Sequence, residues 1–397
     1  MTSGATPSVL LVHNRYIHRG GEDMVFEREA EMLRSRGHRV ELFVLDNKTI
    51  PKHVVQRLRV AHHAITGGAI PNHIGSIVDR GRFDIVHFHN TFPMVSPAAY
   101  KPARDAGAAI VQTLHNYRVT CANALLLRDA KPCTACVGAS VPWRGALYGC
   151  YRDSRAQSAV HATMLAVHRW RRTFADQVDR YIALSEFAKD VFVRCGLDKE
   201  RIAIKRNGAL DVEQHSVARR GALFVGRLSP EKGVDRLIQC WPKLSRSCDL
   251  TIVGPGALQK GYEDDGCVKV LGPQSAEKVA SLMAAAAFVV VPSECFESGP
   301  VVIPEAFRCG TPVIASDIGA MKELVELGKT GLRFDSSSDA ALLDVLRWAV
   351  DHPEEMRTMG RNARMRYEGE FSSEAQYSRL SDIYAEAIEW RHRKDKP

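Results

Sequence analysis

Two glutamates, Glu297 and Glu305, stand eight positions apart in "FESGPVVIPEA", across a run of small and apolar residues that holds two prolines. On one continuous helix that spacing leaves the side chains on different faces, so the two do not read as a paired acid and base. The stretch divides instead. "FVVVPSECFES" reads as a strand leading into a loop that holds Glu297, and "GPVVIPEAFRCG" as a helix begun around Gly299 and Pro300, because proline is tolerated in a first turn. Glu305 then lies more than a turn inside. The unpaired N–H groups of residues 299–302 would point at a phosphate, with one carboxylate on each side to accept hydrogen bonds from hydroxyls. Spacing alone equally allows Glu305 to be a solvated helix position and Glu297 a partner of the helix dipole.

Two further places suit an anion. In "FVGRLSPEKG" a strand ends in a turn carrying Arg227 and Lys232, and two cations converging on one crevice are what a diphosphate requires. In "HNRYIHRGGE" the pair Gly20 and Gly21 follows the first apolar run, and glycine lets backbone N–H groups approach an anion closely. Each of these, taken singly, is also what an ordinary turn looks like.

The elements that must position these residues follow from hydrophobic patterning. "SVLLVHN" reads as a buried parallel strand, and "GGEDMVFEREAEMLRSRGHRVELFVLD" as glycine loop, helix, turn at Gly37 and second strand, a βαβ unit. Short apolar runs recur at "DIVHFHN", "AAIVQTLHN", "RYIALSE" and "RIAIKRNG", each ending in polar residues where a parallel strand opens onto a crevice. "EFAKDVFVRCGL" reads as a helix stopped by Gly196. A second series comprises "GALFVGRLS", "DLTIVGPG", "CVKVLGP", "FVVVPS" and "TPVIAS", with helices "GVDRLIQCWPKL" and "SAEKVASLMAAAA" between them. A chain of 397 residues with this alternation predicts two doubly wound, Rossmann-like α/β domains facing each other across a cleft. The change-over is expected within 207–220, giving domains 1–212 and 213–372. A helical run then continues to Lys396, and 373–397 is expected to pack back on the first domain.

"GRLSPEKG", the Glu297/Glu305 pair and "CGTPVIASDIGAMKELVELGKTGL", preceded by the "GG" near the start, resemble glycosyltransferase family 4, retaining enzymes of the GT-B fold. Four separated motifs occur in the family's order and take in most of the chain. The resemblance implies a nucleoside-diphosphate sugar donor. Arg227 and Lys232 would hold its diphosphate, Glu305 the ribose hydroxyls and Glu297 the sugar hydroxyls. Backbone from Ser298 through Gly299 and Pro300 to Val301 would contact sugar and phosphate, and Gly20 and Gly21 would approach the diphosphate from the other domain. His115 in "TLHN" matches the histidine that such enzymes place beside the donor sugar. Asn207, Gly226 and Gly254, each just past a strand, are assigned to the same donor site. The implied mechanism is an oxocarbenium-like state attacked by the acceptor hydroxyl on the face the diphosphate leaves. Stabilising that leaving group is then the main demand, met by His115, Arg227, Lys232 and Glu297 as the catalytic set, with no cofactor required. No D-x-D motif occurs.

The segment at about 117–152 interrupts the alternation. Cys121, Cys133, Cys136 and Cys150 give C-x11-C-x2-C-x13-C, which suits either a structural zinc site or four independent reduced thiols. The next segment, 151–174, mixes Arg152, Arg155, Arg169, Arg171 and Arg172 with Met164, Leu165 and Trp170, so it suits a helix lying on an anionic bilayer or an exposed basic helix packed on its domain. Charge is uneven: residues 1–212 carry 30 Lys and Arg against 19 Asp and Glu, the remainder 24 against 27. The basic first half points to an anionic partner there, a membrane surface or a lipid-linked or phosphorylated acceptor, and not to nucleic acid. With no apolar run of about 18 residues and no signal-peptide pattern, a cytoplasmic protein is expected, peripheral on the inner face of the membrane. Two other functions fit the same two-domain reading: a sugar-nucleotide epimerase, or a non-catalytic nucleotide-sugar-binding or zinc-dependent scaffold.

Overall fold

The computed structural model describes residues 6–17, 19–49, 54–213, 218–244, 248–256 and 266–394. The chain forms two compact units. The first comprises Met1–Leu125, Thr134–Lys205 and Tyr377–Pro397; the second comprises Leu126–Cys133 and Arg206–Gln376. The division between Lys205 and Arg206 precedes the expected 212. Residues 214–217 of the expected change-over, and Lys396 of the expected final helix, lie outside the described residues.

The first unit is built on six parallel strands: β1 (Val9–Arg15), β2 (Val40–Asp46), β3 (Ile85–Phe88), β4 (Ala109–Leu114), β5 (Arg180–Ala183) and β6 (Ile202–Ile204). Their order is β2-β1-β3-β4-β5-β6. β1 pairs with β2 from Val9↔Val40 to Arg15↔Asp46, and with β3 from Val9↔Ile85 to Val12↔Phe88. All four residues of β3 and all six of β4 are buried, as expected of central strands covered on both faces. From Tyr377 onward the last helix, Ser373–Lys394, belongs to this unit. Its Leu380, Ile383, Tyr384 and Ala387 recur at helical spacing and share a core with Val9, Leu11 and Phe26.

The second unit repeats the plan with β7 (Ala222–Val225), β8 (Leu250–Val253), β9 (Val268–Val270), β10 (Phe288–Val291), β11 (Val313–Ser316) and β12 (Gly331–Phe334). The order is β9-β8-β7-β10-β11-β12, all parallel. β12 was not among the strands read from the sequence; its pattern, with Leu332 and Arg333 only half-buried, lacks the continuous apolar run of the others. In each sheet the connection reverses direction beside the strand that opens it, at β1/β3 and at β7/β10. Loops leaving the carboxyl ends of those strands diverge there and leave a crevice.

Candidate active site

In the second unit the switch-point loops carry the expected donor residues. Gly226 follows β7 and Gly254 follows β8. Gly254 has φ +146°, and a Cβ there would stand 1.8 Å from the Gly226 carbonyl oxygen, so the two loops approach backbone to backbone. After Gly226 the chain turns through a short 3-10 turn, Pro230–Lys232. Gly233 ends it at φ +68°, where a Cβ would meet the Pro292 carbonyl oxygen at 2.0 Å. This close passage brings Lys232 to the loop that leaves β10.

There the Lys232 Nζ donates to Glu297 Oε1 at 2.5 Å, and Ser293 Oγ donates to the same oxygen at 2.9 Å. Burial alone would raise the Glu297 pKa, but the Lys232 charge and the two hydrogen bonds hold it below the usual carboxylate value. Burial would lower that of Lys232, yet the Glu297 carboxylate raises it on balance. Glu297 is therefore an ionised hydrogen-bond acceptor and Lys232 a fixed cation. Arg227, half-exposed, pairs instead with Glu231 at 3.0 Å, a partner that the sequence reading did not single out.

The helix after Glu297 begins later than expected. It spans Val302–Arg308, with Val301 as N-cap and Pro304 in its first turn. Proline has no N–H to give, and the first-turn donors have no intrahelical acceptor, so Pro304 sits where it costs least. Glu305 is thus a first-turn residue, correcting its placement deeper in the helix. It is only 7% exposed, which excludes a solvated position. Residues Ser298 to Val301 form the approach to this helix, and Asn207 braces it: its Nδ2 donates to the Gly299 carbonyl at 2.6 Å. Asn207 is buried, and its Oδ1 has no hydrogen-bond partner. An acceptor left so suits a ligand N–H or O–H.

In the first unit Gly20 caps the helix Gly21–Ser35. Its own N–H is held by Asp23 Oδ2 at 2.8 Å, and Asp23 Oδ1 pairs with His13 Nε2 at 2.8 Å. The expectation that both glycine N–H groups are open to an anion is thereby narrowed. The space above Gly20 remains: φ is −125°, and a Cβ would meet nothing nearer than Asp23 Oδ2 at 4.0 Å. Among the described residues no atom comes nearer, so the Gly20 backbone is open to an incoming group.

His115 follows β4, is buried, and shares a hydrogen bond with His89, Nε2 to Nδ1, at 2.9 Å. Burial, reinforced by the charges of His13, His87 and Lys205, holds its pKa well below the ordinary histidine value, so the ring is neutral. His115 and His89 line a small cavity of about 40 Å³ together with Tyr100, Gln112, Asn116 and Arg118. The sequence reading missed this histidine cluster. Its signal was the alternation in "DIVHFHN", which puts His87 and His89 on one side of the strand.

Among the described residues the set of three or more metal-capable groups close enough to share an ion is Glu29, His87 and His89. Lys205 Nζ is bonded to Glu29, and both His87 nitrogens are engaged, Nδ1 with the Tyr384 hydroxyl at 2.9 Å and Nε2 with Thr113 Oγ1 at 2.7 Å. A cation already occupies that place. The thiols of Cys121, Cys136 and Cys150, which fall in the first unit, form no such set, and Cys133 belongs to the segment grouped with the second. Cys121 Sγ instead donates to Asn123 Oδ1 at 2.9 Å. On the basic helix, Arg155–Trp170, Met164 and Leu165 are buried in the unit, which fits the reading of a helix packed on its domain, and Arg169 is bonded to the carbonyls of Val119, Ala139 and Ser140. Exposed apolar groups of this segment include Val141, Trp143, Leu147, Tyr148 and, at 83%, Trp170.

Comparison with known proteins gives two family matches. The model described as Glycosyltransferase Family 4 matches residues 19–209, and that of Glycosyl transferases group 1 matches residues 211–366. A D-inositol 3-phosphate glycosyltransferase of Gordonia bronchialis is 31% identical over 54% of this chain and 54% of its own. The chain spans about half the length of the curated relatives it matches. The same fold is found in the sucrose-phosphate synthase of Thermosynechococcus elongatus (TM-score 0.69, 17% identity, 97% of this chain and 100% of that one). It is found also in Anabaena HepE, solved in complex with UDP-glucose (TM-score 0.62, 18% identity, 96% and 100%).

Proposed function

Because the chain belongs to glycosyltransferase family 4, we propose that it moves a sugar from a nucleoside-diphosphate donor to an acceptor hydroxyl, with retention, in the assembly of a surface polysaccharide or glycolipid. The observation that carries this reading is the Lys232–Glu297 pair at the β7/β10 switch point. A fixed cation suits a leaving diphosphate, whose charge grows as the glycosidic bond breaks. An ionised carboxylate beside it accepts hydrogen bonds from sugar hydroxyls and has no proton to donate. Arg227 adds charge at the phosphates, and Glu305 serves the ribose. The backbone of Ser298, Gly299, Pro300 and Val301, steadied by Asn207, lines the path between, and Gly226 and Gly254 let the loops close on it. On the first unit, His115 and the Gly20–Gly21 turn are the groups with the chemistry to meet sugar and diphosphate.

A thermal-shift screen against UDP-, GDP- and ADP-sugars tests the donor. The UDP-glucose bound by Anabaena HepE makes a UDP-sugar the first choice. A ligand at 100 times its Kd stabilises by about 2.7 kcal/mol. A melting curve unmoved by all three classes at millimolar concentration would remove the reading.

A lipid-linked acceptor is supported by the exposure of Trp143, Leu147, Tyr148 and Trp170 in a segment that also exposes Arg144, Arg152, Arg155 and Arg171. Interfacial aromatics with cations suit an anionic bilayer. No described helix is long and apolar enough to cross one. Co-sedimentation with phosphatidylglycerol vesicles at low salt is expected, and Trp143→Ser with Trp170→Ser should lower it severalfold. Equal sedimentation of this double variant, or none by the original chain, counts against membrane docking.

A further inference from the structure

The His115–His89 hydrogen bond has a direction that the rest of the cluster sets. Two neutral imidazoles share a hydrogen bond only when one supplies N–H and the other a lone pair. Burial and the charges of the neighbouring histidines and Lys205 keep both rings neutral. The far nitrogen of His89, Nε2, lies 3.4 Å from Glu29 Oε2, and neither atom has a hydrogen-bond partner, so what links them is proximity and charge. Glu29 Oε1 is taken by Lys205, so Oε2 is the oxygen turned to the histidines. His87 does not compete for it: its Nδ1 is 3.9 Å away and engaged with Tyr384. A nitrogen lone pair facing a buried carboxylate oxygen is repelled, whereas an N–H is attracted. His89 therefore carries its proton on Nε2, its Nδ1 accepts, and His115 Nε2 is the donor.

We propose that Glu29, acting through His89, is a positioning residue that fixes His115 in the tautomer protonated at Nε2. His115 Nδ1 is then an acceptor, and a substrate group meeting it must be a donor such as a sugar hydroxyl. Fixing a ring through the hydrogen bond at its other nitrogen is how histidine orientation is set in active sites generally. The catalytic consequence rests on the reading of His115 as an active-site residue; the tautomer itself does not.

The test uses the full chain with ring-¹⁵N histidine, assigned through His115→Gln and His89→Gln. At pH 7 His115 is expected to show the neutral Nε2-protonated pattern. Glu29→Gln alone leaves Lys205 buried without its carboxylate, so the variant to compare is Glu29→Gln with Lys205→Met, its folding checked by circular dichroism. In it the His115 signals should move to a mixture of tautomers. An Nδ1-protonated His115 in the original chain, or an unchanged pattern in the double variant, overturns the proposal. With UDP-glucose as donor probe, kcat should fall on the order of tenfold with KM steady. A changed tautomer with unchanged kcat removes the positioning role. Absence of turnover by the original chain counts against the transferase reading and leaves the tautomer to be judged on the spectra.

Discussion

Lys232→Ala is expected to lower sugar transfer on the order of 10³-fold, with the fold intact. The estimate follows from the electrostatic role: removing one preorganised group aimed at developing charge typically costs about 10²–10³ in kcat, and here the group is a full cation. The side chain is about one quarter exposed and bonded to Glu297, which keeps its bond from Ser293 Oγ when the cation is removed, and circular dichroism of the variant checks the fold. Glu297→Gln should cost a comparable factor by a different route, because the amide keeps the shape but loses the charge that positions Lys232. The two act as a unit, so the double variant should be scarcely worse than either single one. Near-additive losses would mean that the residues serve separate steps. Activity kept by both single variants would sink the assignment. The pH dependence has a definite sign. Glu297, with its pKa depressed, keeps its contribution above the ordinary carboxylate range and loses it only as pH falls through the lowered value. Lys232, with its pKa raised, keeps its contribution below the ordinary lysine value and loses it only above that. The pair is therefore intact across neutral pH, and any limb of the rate profile between about pH 6 and 8 arises elsewhere.

What could be read from the sequence, and what could not, divides along a physical line. Strands buried on both faces are continuous apolar runs, so β1, β3, β4, β7 and β10 were legible, and with them the loops at their carboxyl ends. Gly226, Lys232, Glu297 and His115 stand at those ends. The helix start was drawn early because Gly299 and Pro300 look like an N-terminus, although Pro304, which has no N–H to give after a first turn, pointed to a later start. Glu29 was hidden for another reason. It follows Phe26 by three residues and precedes Leu33 by four, so it lies on the apolar stripe of its helix. A charge on such a stripe signals a buried partner, but Lys205, 176 residues away, has no local pattern that would name it. The basic helix left two readings open because it holds both signals: its arginines suit a surface, while the spacing of Met164, Leu165 and His168 marks the face that packs inward.

Gly254→Ala should be the most damaging single substitution by backbone alone, and Gly328→Ala is its measure. Both residues have positive φ, +146° and +73°. At Gly328 a Cβ meets nothing within 4 Å, so alanine there reports the cost of conformation only, about 1 kcal/mol. At Gly254 φ lies beyond the left-handed helical region, so the conformational cost is at least as large, and it is joined by a Cβ 1.8 Å from the Gly226 carbonyl oxygen, an atom that belongs to backbone and has no rotamer to escape into. Relief requires the loops after β7 and β8 to part, which breaks the Gly226 N–H bond to the Val253 carbonyl at 3.0 Å and shifts the turn that carries Lys232. The expected loss is about 3 kcal/mol or more, a lowering of roughly 6–12 °C in the melting of a unit of this size. Because the displaced turn also carries the cation, donor binding should weaken in Gly254→Ala even below the transition, whereas Gly328→Ala should bind as the original chain does. Equal melting temperatures for the two variants would show that the loops part at little cost, and that the close backbone approach is not what holds Gly226 and Lys232 in place.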